Sequence, residues 1–241
     1  MFFDIHSILL YIYLRMNGFI LIDKPDNWTS HDIVGYMRKV TGEKRIGHAG
    51  TLDPFATGLL IVAIGRQYTK RLDEFKNLDK EYVTTIHLGA VSDTQDRTGT
   101  IQNSKDTNNK IQEIDTKRIE TVLQSFVGAQ KQIPPMYSAK KVGGKKLYDL
   151  ARKGIEIERQ PNDITVYGIE LLNYKGQLLT VTCQVSTGTY IRTLAHNIGT
   201  ALGVGAYCEE LRRTKIGSYN VENAISPKVL IPEVVEERLF V

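Results

Sequence analysis

Residues Gly47–Gly65 read GHAGTLDPFATGLLIVAIG, and the two halves of this stretch set the fold between them. Leu59–Gly65 (LLIVAIG) is an unbroken apolar run of strand length, predicted to be a strand covered on both faces. The half before it holds a single carboxylate, Asp53, among three glycines, two alanines and a proline. Such a segment is a loop, either a tight surface turn or one that lets something large come close to Asp53.

Working outward, Gly18–Asp23 (GFILID) reads as a second short buried strand, stopped by Pro25. Thr29 or Ser30 caps a helix over Ser30–Val40, with Asp32 in its first turn, where the helix dipole favours an anion. Downstream, a short helix is expected from Gln67 to Phe75 and a strand over Glu81–Val91. The polar stretch Ser92–Asp115 reads as a long exposed loop. Asp115–Val127 is predicted helical, with Ile119, Val122, Leu123 and Phe126 on one face, and Lys145–Lys153 as a short basic helix. Ile164–Tyr174 and Leu178–Ser186 are strands joined at Lys175-Gly176, a hairpin signal. Thr189–Leu202 and Ala206–Arg213 read as helices, and Pro227–Val241 as a small terminal element. Strands and helices follow one another irregularly, which predicts an α+β fold rather than a doubly wound sheet.

The 241 residues suffice for a substantial core, and 41% hydrophobic with 24% charged residues excludes a disordered or fibrous chain. The two cysteines, Cys183 and Cys208, form no C-x-x-C pair, and the five histidines lack metal-ligand spacing. Few thiols in a chain of this size point to a reduced compartment, the cytoplasm. No G-K-[ST] follows the glycine-rich loop, and G-x-S-x-G is absent, so nucleotide binding and the usual serine hydrolases lose their signatures. The apolar N-terminal stretch has no uninterrupted run longer than Ile8–Leu14, too short to span a bilayer. Residues 1–15 read as an extension before Met16, and the chain is not expected to be a membrane protein.

Net charge is +4, and its location matters more than its size. Lys131–Arg159 carries eight Lys/Arg against three acids, a local +5 that leaves the rest of the chain slightly acidic. A basic excess confined in this way is the electrostatic footprint of a polyanion partner. In Val185–Leu194 (VSTGTYIRTL), Gly188 ends a strand and Thr189 caps a helix, which places Tyr190 and Arg192 in the first turn. A positive helix end bearing an arginine is a natural partner for a carboxylate.

Six motifs in register from about Gly18 to Ala224 resemble the TruB-type tRNA pseudouridine-55 synthases. They are LIDKPxxxTSHD (Leu21–Asp32), GHAGTLDPxATGLL (Gly47–Leu60), DKxY (Asp79–Tyr82), IPPxYSAxKxxGxxxYxxARxG (Ile133–Gly154), GTYIRTL (Gly188–Leu194) and LRRT (Leu211–Thr214). The resemblance implies a mixed, largely antiparallel central sheet flanked by helices, with a basic thumb-like insertion at about 129–159 inside a catalytic domain over 16–230. It implies a short tail over 231–241 and no complete C-terminal PUA-like domain.

The implied reaction turns uridine into pseudouridine: the base leaves the ribose, turns over and rejoins through carbon. Atoms and oxidation state are conserved, so no cofactor or metal is called for. By resemblance Asp53 is the nucleophile, Arg192 its cationic partner, and Tyr82 the ring that stacks on the bound base. Tyr190 is a second active-site tyrosine, and His48 occupies the space a flipped base leaves. Lys24 supports structure or touches phosphate, and Leu211 lines the pocket. Lys131, Lys140, Lys141, Lys145, Lys146, Arg152 and Lys153 are the implied RNA-backbone contacts, the T stem-loop of tRNA is the implied partner, and a monomer suffices. A related synthase acting on other RNA, and a non-catalytic RNA-binding or RNA-folding protein, are the alternative readings. A glycoside hydrolase would need a second positioned acid, and none is matched.

Overall fold

The computed structural model describes residues 16–104, 107–138 and 140–241, with the side chains of 107–109, 141 and 146 left aside. The expected extension over 1–15 lies outside them. Two compact units emerge, one of residues up to Lys80 with Arg212–Val241, the other of Glu81–Leu211.

The first unit opens with β1 (Gly18–Lys24), α1 (Ser30–Thr41), β2 (Ile46–Ala49) and β3 (Thr57–Ile64). β3 pairs antiparallel with β1 on one side and β2 on the other. Its apolar run has the expected consequence. Leu60, Val62 and Ile64 pack with Ile20 and Ile22 beneath Ile33, Val34 and Met37 of α1. Alternate residues Leu59, Ile61 and Ala63 pack with Phe19 against Tyr68, Leu72 and Phe75. Those three aromatic and aliphatic side chains come from, or flank, the one-turn helices α2 (Arg66–Thr69) and α3 (Asp73–Lys76), where a single helix was expected. Thr29 caps α1: its hydroxyl accepts from the Asp32 N–H, and the Asp32 carboxylate accepts from the Thr29 N–H at 2.7 Å.

The second unit begins on β4 (Lys80–Leu88), followed by β5 (Ala90–Ser92) and β6 (Ile101–Asn103), which form a hairpin of their own. After them come α4 (Thr107–Gln112), α5 (Thr116–Ser125), capped by Asp115, and β7 (Gly128–Gln132). Next are β8 (Lys141–Val142), β9 (Lys145–Lys146), α6 (Leu147–Ala151), β10 (Asn162–Lys175), β11 (Leu178–Val185) and α7 (Ile191–Leu202). β10 pairs antiparallel with β11 and with β7, and β11 neighbours β4.

β12 (Ala206–Ile216) begins in the second unit, beside β4, and ends in the first. There Arg212 and Arg213 run parallel to Thr57 and Gly58 of β3, and β13 (Tyr219–Asn220) folds back on Lys215 and Ile216. α8 (Pro232–Arg238) packs Val235 into the α1 side of the first unit. Phe240 and Phe19 exchange both backbone hydrogen bonds, at 2.8 and 2.9 Å, along the outer edge of β1. The α+β class and largely antiparallel pairing agree with expectation, and no helix among the described residues is long and apolar enough to cross a membrane.

Four further expectations need correction. Ala206–Arg213 is strand, not helix: its Glu, Leu and Arg residues favour helix by only a few tenths of a kcal/mol each, less than strand pairing supplies. Ser92–Asp115 is not an exposed loop but carries β5–β6, α4 and a buried Asp96. Lys145–Lys153 is not one helix, because Gly143 and Gly144, both at positive φ, form a two-residue turn between β8 and β9 before α6 starts. The cap of α7 is Tyr190 rather than Thr189.

Candidate active site

Asp53 is half-buried in the loop between β2 and β3. Its carbonyl accepts from the Ala56 N–H at 3.1 Å, a turn with Pro54 at its second position, where proline's fixed φ fits. The small neighbours each have a reason inside the unit. A Cβ on Gly47 would lie 2.8 Å from Leu72 Cδ1 and one on Gly58 2.3 Å from the Arg213 carbonyl, while Gly50 sits at φ +81°. Ala49 and Ala56 are buried.

Lys24, at the end of β1, has no exposed surface. Its Nζ donates to the carbonyls of Pro25, Trp28 and Pro54 at 2.9, 2.6 and 3.2 Å. Burial lowers its pKa to about 8, against the opposing fields of Asp26 and Asp53. Lys24 thus ties the residue after Asp53 to the end of β1.

His48 lies in β2, with a buried Nδ1 that has no hydrogen-bond partner. Burial first, then the positive fields of Arg213 and His31, bring its pKa down to about 4. The ring is neutral at physiological pH, and the unfolded chain protonates first as pH falls. The stability His48 confers is therefore complete above pH ~6.5 and is lost as pH drops toward ~4. In thermal melts between pH 7 and 4.5, His48→Gln is expected to lose less stability than the parent; an identical loss in both would contradict that.

In the second unit, Tyr82 and Leu211 are buried on neighbouring strands, β4 and β12. Tyr190 and Arg192 open α7. The Tyr190 side chain makes no cap bond; instead Gln132 of β7 accepts from the Tyr190 N–H at 2.8 Å and donates to its carbonyl at 3.1 Å. Arg192 is 3% exposed. Its Nη1 donates to the Thr94 carbonyl at 2.8 Å and to Asp96 Oδ2 at 3.2 Å, and its Nη2 to the Tyr137 carbonyl at 2.7 Å. Asp96 Oδ1 accepts from the Thr98 N–H and from the hydroxyls of Thr94 and Thr98, at 2.9, 2.8 and 2.6 Å. Every charge in this cluster is met by hydrogen bonds, the condition under which a buried ion pair is tolerable.

Asp96 escaped the sequence reading because its stretch, Asp93–Thr100, is polar throughout. The usable signal was the symmetric T-x-D-x-T, which surrounds one carboxylate with short hydroxyls. Gln132 and Arg213 were missed for the same reason: each is polar in a strand and identifiable only by what it meets.

Of the basic segment, Lys131, Lys145, Arg152 and Lys153 are exposed. Lys131 faces Asp163 at 3.2 Å in a largely solvated pair, Lys140 bonds the Asn162 side chain, and Arg152 lies over the Tyr148 ring. Pairs this exposed bind weakly and yield easily to another anion. The side chains of Lys141 and Lys146 lie outside the described set.

Curated relatives named "tRNA pseudouridine synthase B" include one from Desulfotalea psychrophila, 44% identical over 229 residues covering 92% of this chain and 91% of the relative. Another, from Chlamydia abortus, is 46% identical and covers 86% of each. Among solved structures, a chain in "Crystal Structure of a Cbf5-Nop10-Gar1 Complex" superposes with a TM-score of 0.66 at 31% identity. The match covers 89% of this chain but only 54% of that longer one. Fold and relatives together define an isomerase that converts uridine to pseudouridine. The model of the TruB family pseudouridylate synthase N-terminal domain matches residues 38–191, and that of the tRNA pseudouridylate synthase B C-terminal domain matches 192–235. The chain belongs to the TruB family.

Proposed function

We propose that the chain isomerises the uridine at position 55 in the T loop of tRNA, acting as a cytoplasmic monomer with Asp53 as nucleophile and no cofactor. The observation that carries this reading is the half-buried Asp53 on a loop whose backbone is tied down on both sides of it. Such a carboxylate is presented without the freedom to turn away, which is what covalent catalysis asks of a nucleophile. The relatives' names supply tRNA as the substrate.

In this reading the target uridine leaves its stack at a cost of a few kcal/mol. Stacking on Tyr82 returns about 1–3 kcal/mol. Asp53 bonds to the nucleotide, the C1′–N1 bond breaks and the freed base turns; C5 then bonds to C1′, the bond to Asp53 breaks to restore the carboxylate, and the proton lost from C5 is balanced by the one N1 regains. Tyr190 stands by for the proton transfer, Arg192 supplies positive charge for Asp53, and neutral His48 fills the space vacated in the loop. Leu211 lines the base pocket. Lys24 acts from beneath, through the Pro54 carbonyl. Lys131, Lys140, Lys141, Lys145, Lys146, Arg152 and Lys153 meet phosphates, positioning RNA without reading its bases.

The test is to incubate an unmodified tRNA transcript with the protein and map pseudouridine. Product at the T-loop uridine is expected; product at other positions alone, or none, would overturn the assignment. Binding should weaken steeply with salt, with a slope of roughly −0.7 to −0.9 per phosphate neutralised. Exchanging Lys145, Arg152 and Lys153 for Ala should flatten the slope by about 2–3 units, and an unchanged slope removes this segment from the RNA interface.

A further inference from the structure

The loop that carries Asp53 is held at three backbone points by side chains from three other elements of the same unit. At Gly50, the carbonyl accepts from Arg213 Nη2 of β12 at 3.1 Å. At Leu52, the N–H donates to Ser30 Oγ of α1 at 2.9 Å, and the carbonyl accepts from the same hydroxyl at 3.2 Å. At Pro54, the carbonyl accepts from Lys24, as described above. Asp53 lies between the second and third points.

Ser30 and Arg213 have no part in the proposed chemistry, and each is 2% exposed or less. Ser30 is the first residue of α1, yet the cap belongs to Thr29. Its hydroxyl is thereby released to serve a residue 22 positions away, meeting both backbone groups of Leu52 as a neighbouring strand would. Arg213 anchors the same loop to β3, since its Nε donates to the Leu59 carbonyl at 2.8 Å. The approach is possible because Gly58 opposite has no Cβ to collide with the Arg213 backbone.

We infer that Ser30 and Arg213 are positioning residues for Asp53, fixing the direction of its carboxylate through the backbone at Leu52 and Gly50. The inference rests on the reading of Asp53 as nucleophile. A displacement of about 1 Å at a reacting group can lower a rate on the order of 10²-fold, so removing one anchor should slow chemistry while leaving RNA binding alone.

Four variants decide the matter: Ser30→Ala, Arg213→Lys, Thr29→Ala and Asp53→Asn. Each is assayed for single-turnover pseudouridine formation in an unmodified tRNA transcript at saturating protein, for tRNA dissociation constant and for melting temperature. Thr29→Ala removes the cap of the same helix without touching the loop, so it reports the purely structural cost. Ser30→Ala is expected to slow the chemical step tenfold or more relative to Thr29→Ala, with the dissociation constant within twofold of the parent. Arg213→Lys keeps the charge but cannot bridge both the Leu59 and Gly50 carbonyls, and should show the same split. A Ser30→Ala rate within threefold of Thr29→Ala overturns the role of Ser30. If Ser30→Ala fails to fold, Arg213→Lys decides alone, and a rate within threefold of the parent overturns the inference. Asp53→Asn separates the two levels: an active variant removes the nucleophile reading itself, whereas an inactive one beside fast Ser30→Ala and Arg213→Lys removes only the positioning inference.

Discussion

Asp53→Asn is expected to remove pseudouridine formation, with a fall on the order of 10⁴-fold or more in the single-turnover rate, the scale on which loss of a nucleophile acts. The amide keeps the size and polarity of the side chain but cannot form or release the covalent bond. The loop is fastened through backbone groups of Gly50, Leu52 and Pro54, and the amide has the shape of the carboxylate it replaces, so the variant should fold normally. Its affinity for tRNA should stay within a few fold of the parent. Retention of even a tenth of the activity would show that the carboxylate is not the nucleophile.

The second large effect is expected at Asp96. Asp96→Ala takes the carboxylate away from a guanidinium that is almost fully buried, Arg192 and Asp96 being 3% and 5% exposed. Breaking a buried pair on one side typically costs about 3–5 kcal/mol, which for a chain of this size lowers the melting temperature by roughly 6–20 °C. Asp96→Asn should also destabilise: with its amide oxygen on the Thr98 N–H and hydroxyl, its NH2 donor faces the Arg192 guanidinium, and the charge of the pair is lost. Equal melting temperatures for Asp96→Ala and the parent would mean that Arg192 is held in place without need of Asp96.

Apolar patterning was enough to find β1, β3, α5, β10 and β11, because each carries a run or stripe whose burial its own sequence announces, while α1 was announced by its cap. The same patterning failed at β12. Glu209, Glu210, Arg212 and Arg213 look like a solvated helix, and the partners that make them strand residues lie far away in sequence: Thr84, whose hydroxyl donates to the Glu210 carbonyl, and Gly58 on β3. The candidate site divides along the same line. Asp53, His48, Tyr82, Tyr190 and Arg192 were legible as motif positions. Their supporting groups were not, because Ser30, Gln132 and Arg213 act on backbone atoms, and a backbone atom leaves no trace in the sequence. Only one hint was present beforehand: Thr29-Ser30 offers two capping residues where a helix uses one.

The pairing of Phe19 with Phe240 has a consequence for the order in which the molecule is made. Among the described strands β1 leaves the ribosome first, and its outer edge is sealed by residues near the far end of the chain. Synthesis at about 5–20 residues per second leaves that edge waiting for roughly 10–45 s. During this interval the nascent chain offers an open strand, GFILIDK, to any neighbour able to pair with it. A chain stalled before Phe240 would keep that stretch of edge open, so a delay in synthesis prolongs the exposure of GFILIDK to pairing with a neighbour.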